Sequence, residues 1–138
     1  MKKQLTLPRH IKEEMLEHAL AGLPHEACGI IAADQSSNPV RFYPTSNIYR
    51  RGDRYEVPPE ELLEVFLDME DKGYYLWGIF HTHPCSSAYP SPTDLEEAYY
   101  PEAYYFILSV QEPTEPCLRA FRIVDRQVEE FQVVVEVD

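Results

Sequence analysis

One run of seven residues, Tyr74–Phe80, constrains the fold more than any other part of this sequence. The run reads YYLWGIF, a set of aromatic and aliphatic residues without a single charge. Such residues favour strands, and a strand with no polar side has no face that suits water. We therefore expect a central strand that is buried on both faces. A strand of that kind needs further layers of structure to cover it.

Two amphipathic segments provide helices for those layers. Apolar residues recur every three or four positions over Pro8–Ala21, and Gly22 and Pro24 follow as helix breakers. The second segment begins with Pro58-Pro59-Glu60-Glu61, where prolines and acids suit the first turn, and Gly73 ends it. Helices thus alternate with predicted strands, a pattern that favours a layered α/β protein.

The other apolar runs are short and bounded by turn residues, which is typical of strands. The first two and the last two are predicted to form hairpins, and a short helix is predicted over about Pro92–Tyr99. The predicted fold class is α/β (α+β), with one domain over residues 1–138 and a mixed β-sheet flanked by helices. The additional strands are expected at Cys28–Ala33, Val40–Tyr43, Tyr104–Val110, Leu118–Val124 and Val128–Val137.

Charge and composition exclude two classes of function and indicate a compartment. The chain has 12 Lys and Arg against 24 Asp and Glu, a net charge of −12, so it should repel phosphate backbones and bind no nucleic acid. No apolar run reaches the roughly 18 residues of a membrane span, and no signal-peptide pattern is found, so we expect no membrane association. Three widely spaced cysteines, Cys28, Cys85 and Cys117, suit a reducing cytoplasm.

Two histidines directly follow the central strand. If extended geometry continues through His81-Thr82-His83, the period of two sends both imidazoles to the same side of the strand. Their Cα atoms would then lie roughly 6.6 Å apart. At that spacing two ring nitrogens can reach one metal ion.

Asp94 is the candidate for a third ligand. In Ser91-Pro92-Thr93-Asp94, Ser91 suits a helix N-cap and Asp94 suits the reciprocal position of a capping box. This structural role is compatible with metal binding, because it would hold the carboxylate on a rigid backbone. Two His and one Asp, with water in the fourth position, form a catalytic type of zinc site rather than a closed structural one. Such a zinc ion lowers the pKa of its water toward about 7.

A zinc hydrolase also needs a group that moves protons, and Glu26 stands just before the first buried strand. Considered alone, a glutamate in a loop is ordinary solvated surface. Two other zinc patterns do not fit the chain. His25–Gly29 begins like H-E-x-x-H but ends in glycine, and Pro84-Cys85 lacks the second cysteine of the zinc nucleoside deaminases.

Taken together, these residues match a family pattern. His81-Thr82-His83-Pro84, followed by Ser91-Pro92-Thr93-Asp94, resembles the H-x-H-P-x6-S-x-x-D signature of the JAMM (MPN+) metalloproteases. Thr82 stands where many members have serine. Upstream, Pro24–Ile30 resembles the P-x-E-x-C-G-hydrophobic segment that carries the glutamate of that family. The resemblance runs from about residue 8 to the C-terminus, and small stand-alone prokaryotic members of the type that acts on sulfur carriers are the most similar.

The resemblance implies a cytidine-deaminase-like fold and a zinc peptidase that cleaves peptide or isopeptide bonds. Carried over by position, His81, His83 and Asp94 would bind Zn²⁺. Glu26 would serve as general base and then as general acid, and Ser91 would polarise the scissile carbonyl or hold its oxyanion. The implied partner is a ubiquitin-like or sulfur-carrier protein that ends in Gly-Gly, and the amide bond after that Gly-Gly would be cleaved.

Two alternatives from other classes stay open at this point. One is a non-catalytic MPN-type binding module that keeps zinc for structure, and the other is a zinc hydrolase of small amides. A dense basic spot at Arg50, Arg51 and Arg54 is either a solvated loop or a contact for an acidic carrier surface. The oligomeric state is also open, with a homodimer as one candidate.

Overall fold

The computed structural model describes residues 2–49 and 54–137. Its elements are β1 (Gln4–Pro8), α1 (Arg9–Gly22), β2 (Cys28–Ala33), β3 (Pro39–Thr45), α2 (Pro59–Lys72), β4 (Tyr75–His83), α3 (Pro92–Glu96), β5 (Tyr104–Ser109), β6 (Cys117–Val124) and β7 (Gln127–Glu136). The strands form one seven-stranded sheet in the order β1-β7-β6-β5-β4-β2-β3. The pairs β1/β7 and β4/β5 are parallel, and the other neighbours are antiparallel. The predicted mixed sheet is confirmed.

The central strand β4 lies between β2 and β5, and both of its faces are covered. Phe80 packs in a cluster with Ile11 and Met15 of α1. On the opposite face Ile79 belongs to a second cluster, and α2 covers the neighbouring part of that face through Val65 and Met69. Helices therefore flank the sheet on both sides, as predicted. The cytidine-deaminase-like relationship stays a prediction.

Gly29 lets β2 approach β3 unusually closely. A Cβ atom at this position would lie 2.7 Å from the Tyr43 carbonyl oxygen and 2.6 Å from the Phe42 ring, which a real side chain would not tolerate. On its other edge β2 pairs with β4, and Cys28 lies opposite His81. This pairing brings the segment before β2 next to the end of β4.

One strand was not predicted, and two element ends differ clearly from the sequence-based expectation. β1 was not predicted, and it pairs in parallel with β7 at the other end of the chain. β4 continues through His83, three residues beyond the apolar run that predicted it, which ends at Phe80. The third helix is shorter than expected and ends at Glu96. Among the helices of the described residues, none is long and apolar enough to cross a membrane.

Candidate metal centre

The end of β4 holds both histidines on one face of the sheet. His81 and His83 are buried, at 1% and 4% relative exposure. Because side chains alternate along a strand, they share the face of Ile79 rather than that of Phe80. The convergence expected from the two-residue spacing is therefore present.

Thr82, between the two histidines, fastens β4 to the segment that precedes β2. Its Oγ1 atom accepts a hydrogen bond from the Ala27 backbone N–H at 2.8 Å. Its own backbone N–H donates to the Ala27 carbonyl oxygen at 3.0 Å. Glu26 is thereby held beside the paired histidines, although the sequence places it 55 residues before His81.

Asp94 reaches the same point from the first turn of α3. The expected capping box is present, because the Ser91 hydroxyl accepts from the Asp94 N–H at 3.1 Å and the Asp94 carboxylate accepts from the Ser91 N–H at 2.9 Å. The carboxylate oxygen that accepts this bond, Oδ2, also faces both imidazoles. The helix cap and the candidate metal ligand are one side chain in one conformation.

Three atoms converge in this centre. Asp94 Oδ2 lies 3.1 Å from His81 Nε2 and 3.0 Å from His83 Nε2, and the two nitrogens are 3.3 Å apart. Ligands about 2.0–2.1 Å from a tetrahedral zinc ion lie roughly 3.3 Å from each other. The donor set and its spacing therefore fit a Zn²⁺ ion that keeps one position for water or substrate.

The protonation states of His81 and Asp94 suit metal binding. Burial lowers the pKa of His81, because the charged imidazolium is disfavoured there. Burial alone would raise the pKa of Asp94, but the two imidazoles and the Ser91 N–H around its carboxylate outweigh that effect and hold the pKa far below its usual range. A neutral imidazole and an ionised carboxylate are the forms that coordinate metal.

Glu26 is buried beside this centre, at 4% relative exposure. Its backbone carbonyl accepts a hydrogen bond from Asn47 Nδ2 at 3.0 Å. Burial disfavours the charged form of His83. The pKa of His83 is nevertheless raised, because its hydrogen bonds to Asp94 and the Ser87 carbonyl and the nearby charges of Asp94 and Glu26 outweigh the effect of burial. Glu26 is thus a functional candidate rather than the solvated surface residue that its loop position suggested.

Comparison with known proteins assigns the chain to a family. The model of prokaryotic homologs of the JAB domain matches residues 8–124. The chain belongs to this family. The matched region contains every candidate residue of the metal centre.

Two named relatives and one solved structure are similar to most of this chain. The chain is 36% identical over 132 residues to the CysO-cysteine peptidase of Mycobacterium tuberculosis, covering 95% of this chain and 90% of that protein. It is 34% identical over 112 residues to the desampylase of Haloferax volcanii, covering 77% of this chain and 81% of that protein. A solution structure of protein DSY2949 from Desulfitobacterium hafniense is similar with a TM-score of 0.87 and 33% identity, covering 96% of this chain and 93% of that one.

Cys28, in the glutamate-bearing segment of the family pattern, is a packing residue. The side chain is fully buried, with Sγ 3.2 Å from the Ser46 carbonyl oxygen. Burial raises the pKa of the Cys28 thiol to about 11, so it stays protonated at neutral pH.

The basic spot is described only in part, since Arg50 and Arg51 lie outside the described residues. The third member, Arg54, forms an ion pair with Glu97 at 2.8 Å, just after α3. Its guanidinium also lies over the Tyr49 ring, 4.4 Å from the centroid. Arg54 is therefore engaged within the protein.

Tyr55 is a site residue that sequence reasoning missed. Its ring stacks on the His81 imidazole, with centroids 4.3 Å apart and planes 15° apart. Tyr55 also lines an apolar cavity of about 270 Å³, together with Ile79, Tyr100 and Tyr105. No local pattern could have found it, because its place over His81 depends on the hydrogen bonds that Asn47 makes to the loop around it.

Proposed function

We propose that this protein is a zinc-dependent peptidase that hydrolyses the amide bond after the C-terminal Gly-Gly of a ubiquitin-like or sulfur-carrier protein. The observation that carries the proposal is the convergence of His81 Nε2, His83 Nε2 and Asp94 Oδ2 within 3.3 Å of one another. Glu26 is buried beside them. It would serve as a group that transfers protons, which a purely structural metal site does not need.

In this proposal His81, His83 and Asp94 hold the metal. Zinc bound there would supply a water that is activated as nucleophile at neutral pH and a Lewis acid for the scissile carbonyl. The capping box keeps the Asp94 carboxylate in place, and the sheet keeps the two imidazoles in place, so the ligands need little reorganisation when the metal binds.

Glu26 and Ser91 carry the remaining steps. The Glu26 carboxylate accepts a proton from the attacking water and then delivers it to the nitrogen of the leaving amine. The Ser91 oxygen accepts from the Asp94 N–H, which leaves the hydroxyl proton free to be donated to the carbonyl oxygen as negative charge develops there. Each role uses a hydrogen bond or a buried position that the fold already fixes.

The substrate class follows from the relatives together with the site. A CysO-cysteine peptidase and a desampylase are both similar to this chain over more than three quarters of its length. The apolar cavity lined by Tyr55, whose ring stacks on His81, offers room for an extended, apolar part of a protein tail. Because glycine has no side chain, a Gly-Gly pair would allow the backbone of such a tail to approach the metal closely.

The test is cleavage of a carrier protein that is extended by a short peptide beyond its Gly-Gly. Zinc-loaded protein is incubated with the extended carrier, and intact mass is measured over time. We expect the carrier to lose a mass equal to the extension, and we expect a carrier with Val in place of its last Gly to be cut much more slowly. Removal of zinc with a chelator should stop the reaction, and re-addition should restore it.

Two outcomes would contradict the proposal. Cleavage after Gly-Gly that persists once zinc is fully removed would reject the metal mechanism. If no extended carrier were cut but a small amide were hydrolysed, the protein would be a hydrolase of small amides instead.

A further inference from the structure

The two histidines of the metal centre are held in different ways. Nδ1 of His83 lies 2.7 Å from the Ser87 carbonyl oxygen, so its N–H donates there and Nε2 keeps its lone pair for a metal. Metal-binding histidines generally have such an outer partner, which fixes the tautomer and the orientation of the ring. His83 follows this rule.

His81 does not follow it. Its Nδ1 atom is buried and has no hydrogen-bond partner within residues 2–49 and 54–137. The flat face of the ring is covered instead by Tyr55, which lies nearly parallel to it at a centroid distance of 4.3 Å. A stacked ring at this distance limits rotation of the imidazole about its Cβ–Cγ bond.

Asn47 fixes the position of Tyr55. Its Oδ1 accepts from the Glu56 N–H at 2.9 Å, and its Nδ2 donates to the Arg54 carbonyl oxygen at 3.0 Å, so both chain neighbours of Tyr55 are held by one side chain. The same Nδ2 group also donates to the Glu26 carbonyl oxygen. Tyr55 is therefore presented to His81 by a loop that is tied to the candidate general base.

We propose that Tyr55 is a positioning residue for His81, and that its stacked ring replaces the hydrogen-bond partner that His83 finds in Ser87. The inference rests on the proposed zinc site. It requires the aromatic ring of Tyr55 and not its hydroxyl. Loss of the ring should therefore weaken zinc binding, while loss of the hydroxyl should not.

The experiment measures the zinc dissociation constant by competition with a chromophoric chelator. Tyr55→Leu is expected to raise it about 10-fold, the lower end of what loss of an outer-shell partner costs. Tyr55→Phe keeps the ring and should stay within about twofold of the unmodified protein. Tyr75→Leu, at the far end of β4 where Tyr75 contacts Ser37, is the matched control and should change nothing.

A second measurement separates positioning from a general effect on folding. Cobalt(II) replaces zinc, and its visible absorption bands report the ligand geometry. These bands should shift in Tyr55→Leu and keep their position in Tyr55→Phe. Thermal melting of the metal-free proteins shows whether each variant folds. If Tyr55→Leu does not fold, Tyr55→Met replaces it, since methionine is also large but lacks a ring.

The outcomes are distinguishable. Equal zinc affinity and equal cobalt spectra in folded Tyr55→Leu and unmodified protein would overturn the inference. An equal loss in Tyr55→Phe and Tyr55→Leu would overturn it as well, since the hydroxyl would then be the important group. Failure of the unmodified protein to bind zinc would overturn the proposed function, and this inference with it.

Discussion

The end of β4 and the β6–β7 hairpin differ in where they place charged and polar groups. At the end of β4, Glu26, His81, Thr82 and His83 are all less than 5% exposed. On β6–β7 the main ion pair joins Arg119 and Glu130, whose side chains are 32% and 20% exposed. One region buries its polar groups, and the other keeps them near water.

The physical cost of these two arrangements differs. A buried polar group destabilises the fold unless it is hydrogen-bonded, and Thr82 and His83 at the end of β4 each have a dedicated partner. Those partners, such as the Ala27 N–H for Thr82, also fix the geometry of the site. An exposed ion pair needs no such arrangement and contributes little. Substitutions at the first region should therefore change chemistry, and those at the second should change only stability.

The largest effect is expected for His83→Ala. This variant removes one of the three metal donors and the bond to Ser87. We expect loss of stoichiometric zinc and a fall in carrier cleavage of at least about 10³-fold, since the metal supplies several kcal/mol of transition-state stabilisation. Zinc content is measured by elemental analysis, and cleavage by intact mass. His10→Ala on the exposed side of α1 is the control, and a His83→Ala protein that keeps zinc and activity would contradict the assignment.

Glu26→Gln should separate chemistry from metal binding. The amide has nearly the same shape as the carboxylate but cannot accept and return a proton, so turnover should fall about 10²–10⁴-fold. Zinc should still bind at one ion per chain, because Glu26 does not belong to the three-residue donor group. Glu17→Gln on α1 is the matched control. Cleavage at the rate of the unmodified protein would show that the assigned mechanism is wrong.

An intermediate effect is expected for Thr82→Val. The change keeps the shape of the side chain but leaves the buried Ala27 N–H without its acceptor, which costs about 1–3 kcal/mol of unfolding free energy. Because Ala27 follows Glu26, turnover should fall more than zinc affinity. Thr82→Ser retains the hydroxyl and should behave like the unmodified protein. Denaturant unfolding measures the stability, and carrier cleavage measures the turnover. Equal stability of the Val and Ser variants would show that the Thr82 hydroxyl does not stabilise the fold.

Much of the fold could be predicted because the signals were local. The apolar stripe of α1, the prolines and Gly73 that bound α2, and the run Tyr74–Phe80 each indicate an element without knowledge of the rest of the chain. Gly73 does adopt the left-handed conformation of a helix end, at φ 72°. β1 was missed because its pattern contains only two buried apolar residues, Leu5 and Leu7, and its partner β7 lies more than 120 residues away.

The site could be predicted only as far as its motif extends. The spacing of His81, His83 and Asp94 indicated the donor set, and the metal itself remains a proposal. The continuation of β4 through His83 was not expected, since polar residues normally argue against a buried strand. Tyr55 could not be found at all, because its place over His81 is set by Asn47 through hydrogen bonds that no local pattern encodes.

The smallest effect is expected for Glu130→Gln in the β6–β7 region. Arg119 donates two hydrogen bonds to the Glu130 carboxylate, at 2.8 and 2.6 Å, and Lys2 lies 3.2 Å from it. The bonds from Arg119 lower the pKa of Glu130 to about 2, from an ordinary value of 4.5. A lowered pKa means that the pair stabilises the fold above pH 4.5 and that this contribution is lost as the pH falls toward 2.

We therefore expect Glu130→Gln to lose about 1 kcal/mol of unfolding free energy or less at neutral pH, because water screens the pair. The difference between the two proteins should shrink between pH 4.5 and about pH 2, and other carboxylates cancel in that difference. Zinc affinity and carrier cleavage should not change. Denaturant titrations at several pH values check the first point. A change in activity as large as that of Thr82→Val would show that the two regions are coupled. The contrast between a buried polar site and a hairpin that only adds stability would then be wrong.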